Sequence, residues 1–433
     1  MNFRLRFQPK HSVAAIACLA TALPVVTAHA QTDFALKSGD RVVFYGDSIT
    51  DQRMYTLLTE EYIVTRFPNR EIRFVHSGWG GDRVTGGGGG PIDLRLDRDV
   101  TAYKPTVVTI MLGMNDASYR AYDDNIFKTY SDGFKHMVDK IKKDNPGVRL
   151  TFIQPSPFDD VTRPPAFEGG YNAVLVKYGA FLATLATTDG ATVADLNTPV
   201  VAMLTKANAT DSTIAQKIIP DRVHPGWGGH LIMAEGLLKS WNAPALVSSV
   251  TMDASTKKAE TQNAEIKNVK ADQDGSLTWN VMEGALPFPI LPPDPRNPDT
   301  YNLALKSSDF IEALDREILT VSNLTAANYN LKIDGEDIGT FTKEQLAAGI
   351  NLATLPTPML KQAELVAEVT QTRSNLHNAR WREYQVPKAN DKTLQPLLPA
   401  LMKEMDAADS ELAKAQYETA KPRTHNFSLV PKA

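Results

Sequence analysis

Four short polar segments carry the residue types that acyl chemistry needs. They are Gly46-Asp47-Ser48, Gly78-Trp79-Gly80-Gly81-Asp82, Gly113-Met114-Asn115-Asp116 and Asp221-Arg222-Val223-His224. A serine hydroxyl is a weak nucleophile at its free pKa and needs an adjacent base. His224 can take the Ser48 proton and later return it to a leaving group. Asp221, three residues earlier, can hold the imidazole in the right tautomer and stabilise the imidazolium. The negative charge that develops on the attacked carbonyl oxygen needs donors aimed at it. The Ser48 and Gly81 backbone N–H groups and the Asn115 side-chain amide are the candidates. A glycine at position 81 lets the backbone come close to a substrate.

The elements that must position these residues alternate between strand and helix from Arg41 to about Leu246. Apolar β-rich runs occupy 41–45, 72–76, 106–112, 148–154 and 191–196. Several are nearly continuous, as in strands buried on both faces. Helix-length segments separate them. In 125–144, Ile126, Tyr130, Phe134, Met137, Val138 and Ile141 recur at helical spacing. The alternation predicts a parallel sheet with helices on both faces. Ligands of such sheets bind beyond the carboxyl ends of the strands. Three of the four segments directly follow predicted strands, and the fourth lies on a loop able to reach the same rim.

With those motifs in that order, the chain resembles the SGNH hydrolases, also called GDSL-type esterases, over about residues 31–246. The resemblance implies a three-layer α/β/α flavodoxin-like fold with a five-stranded parallel sheet, hydrolysis of carboxylic esters, and no metal or other cofactor. It places a catalytic triad on Ser48, Asp221 and His224, and an oxyanion hole on Ser48, Gly81 and Asn115. Gly81 is the glycine chosen from the second block because it directly precedes Asp82-Arg83. Thr50 stands where a Gly-x-Ser-x-Gly elbow would need its second glycine, which argues against an ordinary α/β-hydrolase.

Other features read differently. Asp47 and Asp116 are expected to order their turns. His76 reads as a hydrogen-bonded structural histidine, and His224 and His230 lie six apart, off one helix face, so they are no metal pair. The glycine run 86–90 lacks the Lys-Ser/Thr of a phosphate loop and reads as a loop beside the pocket. Trp79 and Trp227 are candidate aromatic platforms for a sugar.

Arg4, Arg6 and Lys10, an apolar run from about Val13 to Val26, and Ala28-His29-Ala30 read as a signal peptide spanning 1–30. The expected mature chain is exported, to a periplasm or the medium, without a membrane span. The single cysteine, Cys18, falls inside the leader, which leaves neither disulfide nor thiolate. Removing the three leader cations leaves 43 basic and 50 acidic residues, an acidic balance unlike a nucleic-acid binder. Residues 247–433 read as an accessory region. Residues 251–276 read as a polar connection with a strand at 263–270, and 285–300 as proline-rich extended loop. Antiparallel strands at 318–324, 328–335 and 336–342, and helices near 357–381 and 393–419, complete it.

The chemistry predicts a serine esterase acting on small-molecule or polysaccharide esters, with acetylated carbohydrate favoured. A lipase, lysophospholipase or thioesterase uses the same residues, as does acyl transfer to a second sugar. A non-catalytic carbohydrate-binding protein on a hydrolase scaffold is the reading of a different class.

Overall fold

Five short strands run parallel at the centre: β1 (Arg41–Gly46), β2 (Arg73–Gly78), β3 (Val107–Met111), β4 (Arg149–Ile153) and β5 (Thr192–Ala194). Their spatial order is β2-β1-β3-β4-β5. The computed structural model describes residues 34–290 and 298–432, so the leader assigned to 1–30 lies outside the described residues. Every residue of β3 is buried, which fits its continuous apolar run. Helices pack on the sheet: α1 (Ser48–Asp51), α2 (Met54–Arg66), α3 (Ile92–Asp99), α4 (Asp124–Asp144), α5 (Gly170–Asp189), α6 (Asn197–Thr210) and α7 (Trp227–Ser240). The fold is α/β with a five-stranded parallel sheet, joined by further sheets and helices.

α4 shows how local sequence sets such an element. The Asp123 carboxylate caps it by accepting from the Asn125 and Ile126 N–H groups. Tyr130, Phe134, Met137, Val138 and Ile141 form the buried stripe, and Lys142 and Lys143 sit favourably at the negative end of the helix dipole. Burying side chains of this kind stabilises the fold by roughly 1.5–3 kcal/mol each. Ile126, expected on the same stripe, is only half-buried in the first turn.

Beyond the parallel sheet the chain forms β6 (Leu246–Asp253), β7 (Lys258–Gln262), β8 (Ala264–Ala271), β9 (Leu277–Glu283), α8 (Pro298–Lys306), β10 (Arg316–Ser322), β11 (Asn328–Ile333), β12 (Glu336–Thr342), β13 (Ile350–Asn351), α9 (Pro358–Asn378), α10 (Leu398–Ala420) and β14 (Thr424–Lys432). They make a five-stranded antiparallel sheet, β8-β9-β14-β11-β12, and a four-stranded sheet, β13-β10-β6-β7. The strand expected at 263–270 is β8, but the rest of the expected polar connection over 251–276 holds the end of β6 and all of β7. β7 is an edge strand with alternating exposed and half-buried residues, so its sequence carries no apolar run. The proline-rich stretch also ends earlier than expected, because α8 begins at Pro298, a residue well suited to a first helical turn.

α9 and α10 pack on each other and on α2, beside the β2 edge. Arg373 of α9 ties them down. It donates to the buried Glu60 carboxylate of α2 at 2.7 Å, to Asp409 at 2.9 Å and to the Phe74 carbonyl at 3.1 Å. Burial raises the Glu60 carboxyl, but the Arg373 charge and hydrogen bonds from His76 and Gln416 bring it net below the usual range. A π-helical stretch, Ala379–Gln385, continues from α9. Its Trp381 donates to Asp99 of α3 at 2.7 Å.

Candidate active site

Ser48 opens α1 directly beyond the end of β1. Asp47 caps that turn, its carboxylate accepting from the Ile49 N–H at 3.0 Å. Asp47 is fully buried, and burial pushes its carboxyl up to about 7. α1 lies so close over the end of β2 that a Cβ on Gly78 would fall 2.1 Å from the Asp51 nitrogen. Only glycine fits there, and the close approach aims the start of α1 outward.

His224 meets Ser48 from the loop before α7. Its Nε2 lies 2.8 Å from Ser48 Oγ, and its Nδ1 lies 2.6 Å from Asp221 Oδ2. A neutral ring with its proton on Nδ1 donates to Asp221 and accepts from the serine hydroxyl. The other Asp221 oxygen accepts from the Val223 and His224 N–H groups at 2.9 and 2.8 Å. Partial burial raises the Asp221 carboxyl, yet these hydrogen bonds hold it below the usual range. The carboxylate is 53% exposed, so the histidine is oriented by hydrogen bonds rather than by burial.

Gly80 lies beside the serine, with Gly81 next in the chain. A Cβ on Gly80 would lie 4.0 Å from Ser48 Cβ. Gly81 has φ +77°, and a Cβ there would meet nothing within 4 Å. The demand for glycine at 81 is therefore conformational, not spatial. Asn115 Nδ2 donates to the Asp82 carbonyl at 3.1 Å, and its Oδ1 accepts from Tyr119 Oη at 3.0 Å. This fixes the amide and leaves one Nδ2 hydrogen uncommitted. Among the described residues the Ser48 and Gly81 N–H groups have no hydrogen-bond partner. Asp116 accepts from the Val84 N–H at 2.9 Å and so ties the Asn115 loop to the Gly81 loop; burial pushes its carboxyl up to about 6.

Trp79 and Trp227 flank the Gly80-Gly81 and His224 segments in the chain. Trp79 is half-buried under Arg382, whose guanidinium carbon lies 3.7 Å from the ring centroid, with Arg95 and Arg98 also over the ring. Trp381 meets it edge-on. Trp227 starts α7, half-buried against the core. The glycine run packs closely: a Cβ on Gly89 would fall 2.7 Å from the Trp79 ring and from Arg95 Cδ. His76 is buried, bonded to Thr56 at 2.7 Å and Glu60 at 3.1 Å. Among the described residues no group of three His, Cys, Asp or Glu side chains could hold a metal ion.

Sequence reasoning missed the braces around the cluster. His230 Nδ1 accepts from the Tyr55 N–H at 3.2 Å, so its Nε2 donates to Gln52 Oε1 at 3.1 Å. Gln52 Nε2 in turn donates to the carbonyl of Pro225, next to His224, at 3.2 Å. Burial pushes His230 down to about 3, so it stays neutral. On the other side, Asp51 accepts from the Gly80 N–H at 3.1 Å and pairs with Arg382 at 3.2 Å. Buried Asp82 bonds Arg95 at 2.8 Å. Tyr119, four residues past Asn115 and at φ +53°, was visible in sequence but carried no motif.

A serine, an imidazole and a carboxylate thus stand in one hydrogen-bonded line at the carboxyl rim of a parallel α/β sheet. Residues 44–232 match the model of the GDSL-like Lipase/Acylhydrolase family, also known as the SGNH hydrolases, so this part of the chain is a GDSL-like acylhydrolase, a carboxylic ester hydrolase. It is 25% identical over 229 residues to an acetylxylan esterase of Geobacillus stearothermophilus, covering 47% of this chain and 94% of that one. A solved structure described as BT4096, a gut microbial diltiazem-metabolizing enzyme, superposes with TM-score 0.78 and 26% identity. That likeness covers 93% of this chain and all of the other, so it includes the C-terminal sheets and helices.

Proposed function

We propose that the protein is an exported serine esterase that removes short acyl groups, acetyl above all, from carbohydrate. The observation that carries this reading is the unbroken line Ser48 Oγ, His224 Nε2, His224 Nδ1, Asp221 Oδ2, with contacts of 2.8 and 2.6 Å. Ser48 Oγ attacks the ester carbonyl as its proton passes to His224 Nε2. The carbonyl oxygen becomes an oxyanion, held by the Ser48 and Gly81 N–H groups and the uncommitted hydrogen of Asn115 Nδ2. The tetrahedral centre collapses, the C–O bond to the alcohol breaks, and the alcohol leaves with the proton from His224. Water, deprotonated by His224, then attacks the acyl-enzyme and releases the acid and Ser48.

The acetyl preference draws support from the acetylxylan esterase relative. The exposure of the Asp221–His224 side suits a bulky alcohol that stays in solvent while its ester reaches Ser48. A stacking role toward a sugar falls to Trp227 rather than Trp79, whose ring already carries arginines. Export rests on the charged, apolar and small-residue pattern of residues 1–30. N-terminal sequencing of the chain from a periplasmic or medium fraction should begin at Gln31.

The test of the activity is acetate release from acetylated xylo-oligosaccharides, p-nitrophenyl acetate and diltiazem, against p-nitrophenyl octanoate. Acetyl esters should be favoured, and Ser48→Ala should lose about a thousandfold or more in kcat. Turnover of the octanoate ester alone would remove the acetyl assignment. Undiminished turnover in Ser48→Ala would remove the mechanism.

A further inference from the structure

A cavity of about 310 Å³ lies where α9 and α10 cross the edge of the parallel sheet. It opens beside Arg41 and Arg73, the first residues of β1 and β2. Ser48 lies past the other end of β1, so roughly 15–20 Å of strand separates the two places.

Arg41 and Arg73 are direct neighbours in the parallel register. Like charges so placed repel unless something answers them. Arg41 Nε donates to the Lys104 carbonyl at 2.8 Å, and neither guanidinium has an ion pair among the described residues. The carboxylates of the cavity are already engaged, Asp409 by Arg373 and Asp406 by Arg380 through two hydrogen bonds. The lining therefore carries an excess of positive charge. Deeper in, two polar atoms are buried without a hydrogen-bond partner, Tyr103 Oη and His377 Nε2. Burial, with the cations around it, pushes His377 down to about 3, so the ring is neutral. A phenol and a neutral imidazole are both suited to a hydroxyl, which donates and accepts.

We propose that this cavity binds a hydroxylated carboxylate the size of one sugar acid, its carboxylate between Arg41 and Arg73 and its hydroxyls toward Tyr103 and His377. Its volume is at the small end of the range for ligand pockets. Arginine forks hold a carboxylate through two parallel hydrogen bonds, and the ligand's hydroxyls set the choice over sulfate. The site would let the protein hold an acidic sugar independently of the ester it cleaves. The inference does not depend on the esterase assignment, because its readout is binding.

The test is calorimetric titration of the full chain carrying Ser48→Ala, with D-glucuronate, D-glucose and sulfate as probes. Glucuronate should bind saturably at one site per chain, with glucose and sulfate each at least about tenfold weaker. Arg73→Ala and Arg41→Ala should each weaken glucuronate about tenfold or more while the thermal midpoint holds. No saturable heat up to roughly 10 mM glucuronate would overturn the proposal. So would sulfate binding as tightly as glucuronate, or affinity that survives both arginine variants. Binding lost in Trp227→Ala and kept in Arg73→Ala would place the sugar at the ester site and equally end it.

Discussion

The carboxyl rim of the parallel sheet and the C-terminal sheets with their two helices are held together by different kinds of contact. At the rim, three candidate residues stand a few positions past the strand that places them, Ser48 after β1, Gly81 after β2 and Asn115 after β3, and Asp221 and His224 share one short loop before α7. In the C-terminal region the partners are remote. β9 pairs with β14, β6 with β10, and Arg373 reaches Glu60 across 313 positions. The rim thus writes its chemistry into short segments, whereas the C-terminal region writes its structure into pairs that no window along the chain contains. Substitutions that act on one region without the other can test whether this division is also functional.

The largest effect should come from Asp221→Asn. The amide keeps the shape but turns a donor toward His224, favouring the tautomer that cannot accept the serine proton. Turnover of p-nitrophenyl acetate should fall by about ten-thousandfold, with little change in KM or thermal stability. A fall under about tenfold would mean that this exposed carboxylate does not set the tautomer.

On the other side of the comparison, Arg373→Met should strand the buried Glu60 carboxylate and leave the half-buried Asp409 without its partner. Breaking one partner of a buried pair costs about 3–5 kcal/mol, which urea unfolding would read as a large loss of stability. Retained stability would show α9 docked by apolar packing alone. Between the two lies Gln52→Ala, which cuts the link from His230 to the Pro225 carbonyl. His224 would lose a brace but no hydrogen bond of its own, so kcat should fall about tenfold at constant KM. An equal loss in KM would mark Gln52 as a substrate contact instead.

The same division decides what the sequence made legible. The five parallel strands and the helix at 124–144 follow from apolar runs and helical spacing, and the strand expected at 336–342 is observed as Glu336–Thr342. The turn-ordering carboxylates Asp47 and Asp116 were readable because each acts within its own motif or on the next loop. β7 was not, because an edge strand with no fully buried face needs no apolar pattern. Arg382 over Trp79, and Gln52 between His230 and Pro225, join residues more than 170 positions apart and leave no local trace. The π-helical stretch after α9 was read as the end of an ordinary helix, since apolar spacing does not register one inserted residue.

A pH-dependent effect probes the least legible contact, the pair Glu283 and Glu317. Glu283 lies on β9 of the five-stranded sheet and Glu317 on β10 of the four-stranded one, and both are buried. Ser248 donates to Glu283 at 2.7 Å. Burial, reinforced by the neighbouring Glu283 charge, raises the Glu317 carboxyl well above its ordinary value of 4.5. The folded chain therefore keeps a proton that the unfolded chain releases above that value. Its stabilising contribution is complete below about pH 4.5 and is lost as pH rises toward the folded value. Glu317→Gln supplies a neutral group at every pH. Its stability relative to the parent should improve by about 1 kcal/mol for each pH unit climbed over the window, starting near pH 4.5. Urea unfolding at pH 5 and pH 8 measures the difference of differences. If the parent and the variant keep the same gap at both values, Glu317 does not hold a proton in the folded state, and the two sheets meet over an ionised pair.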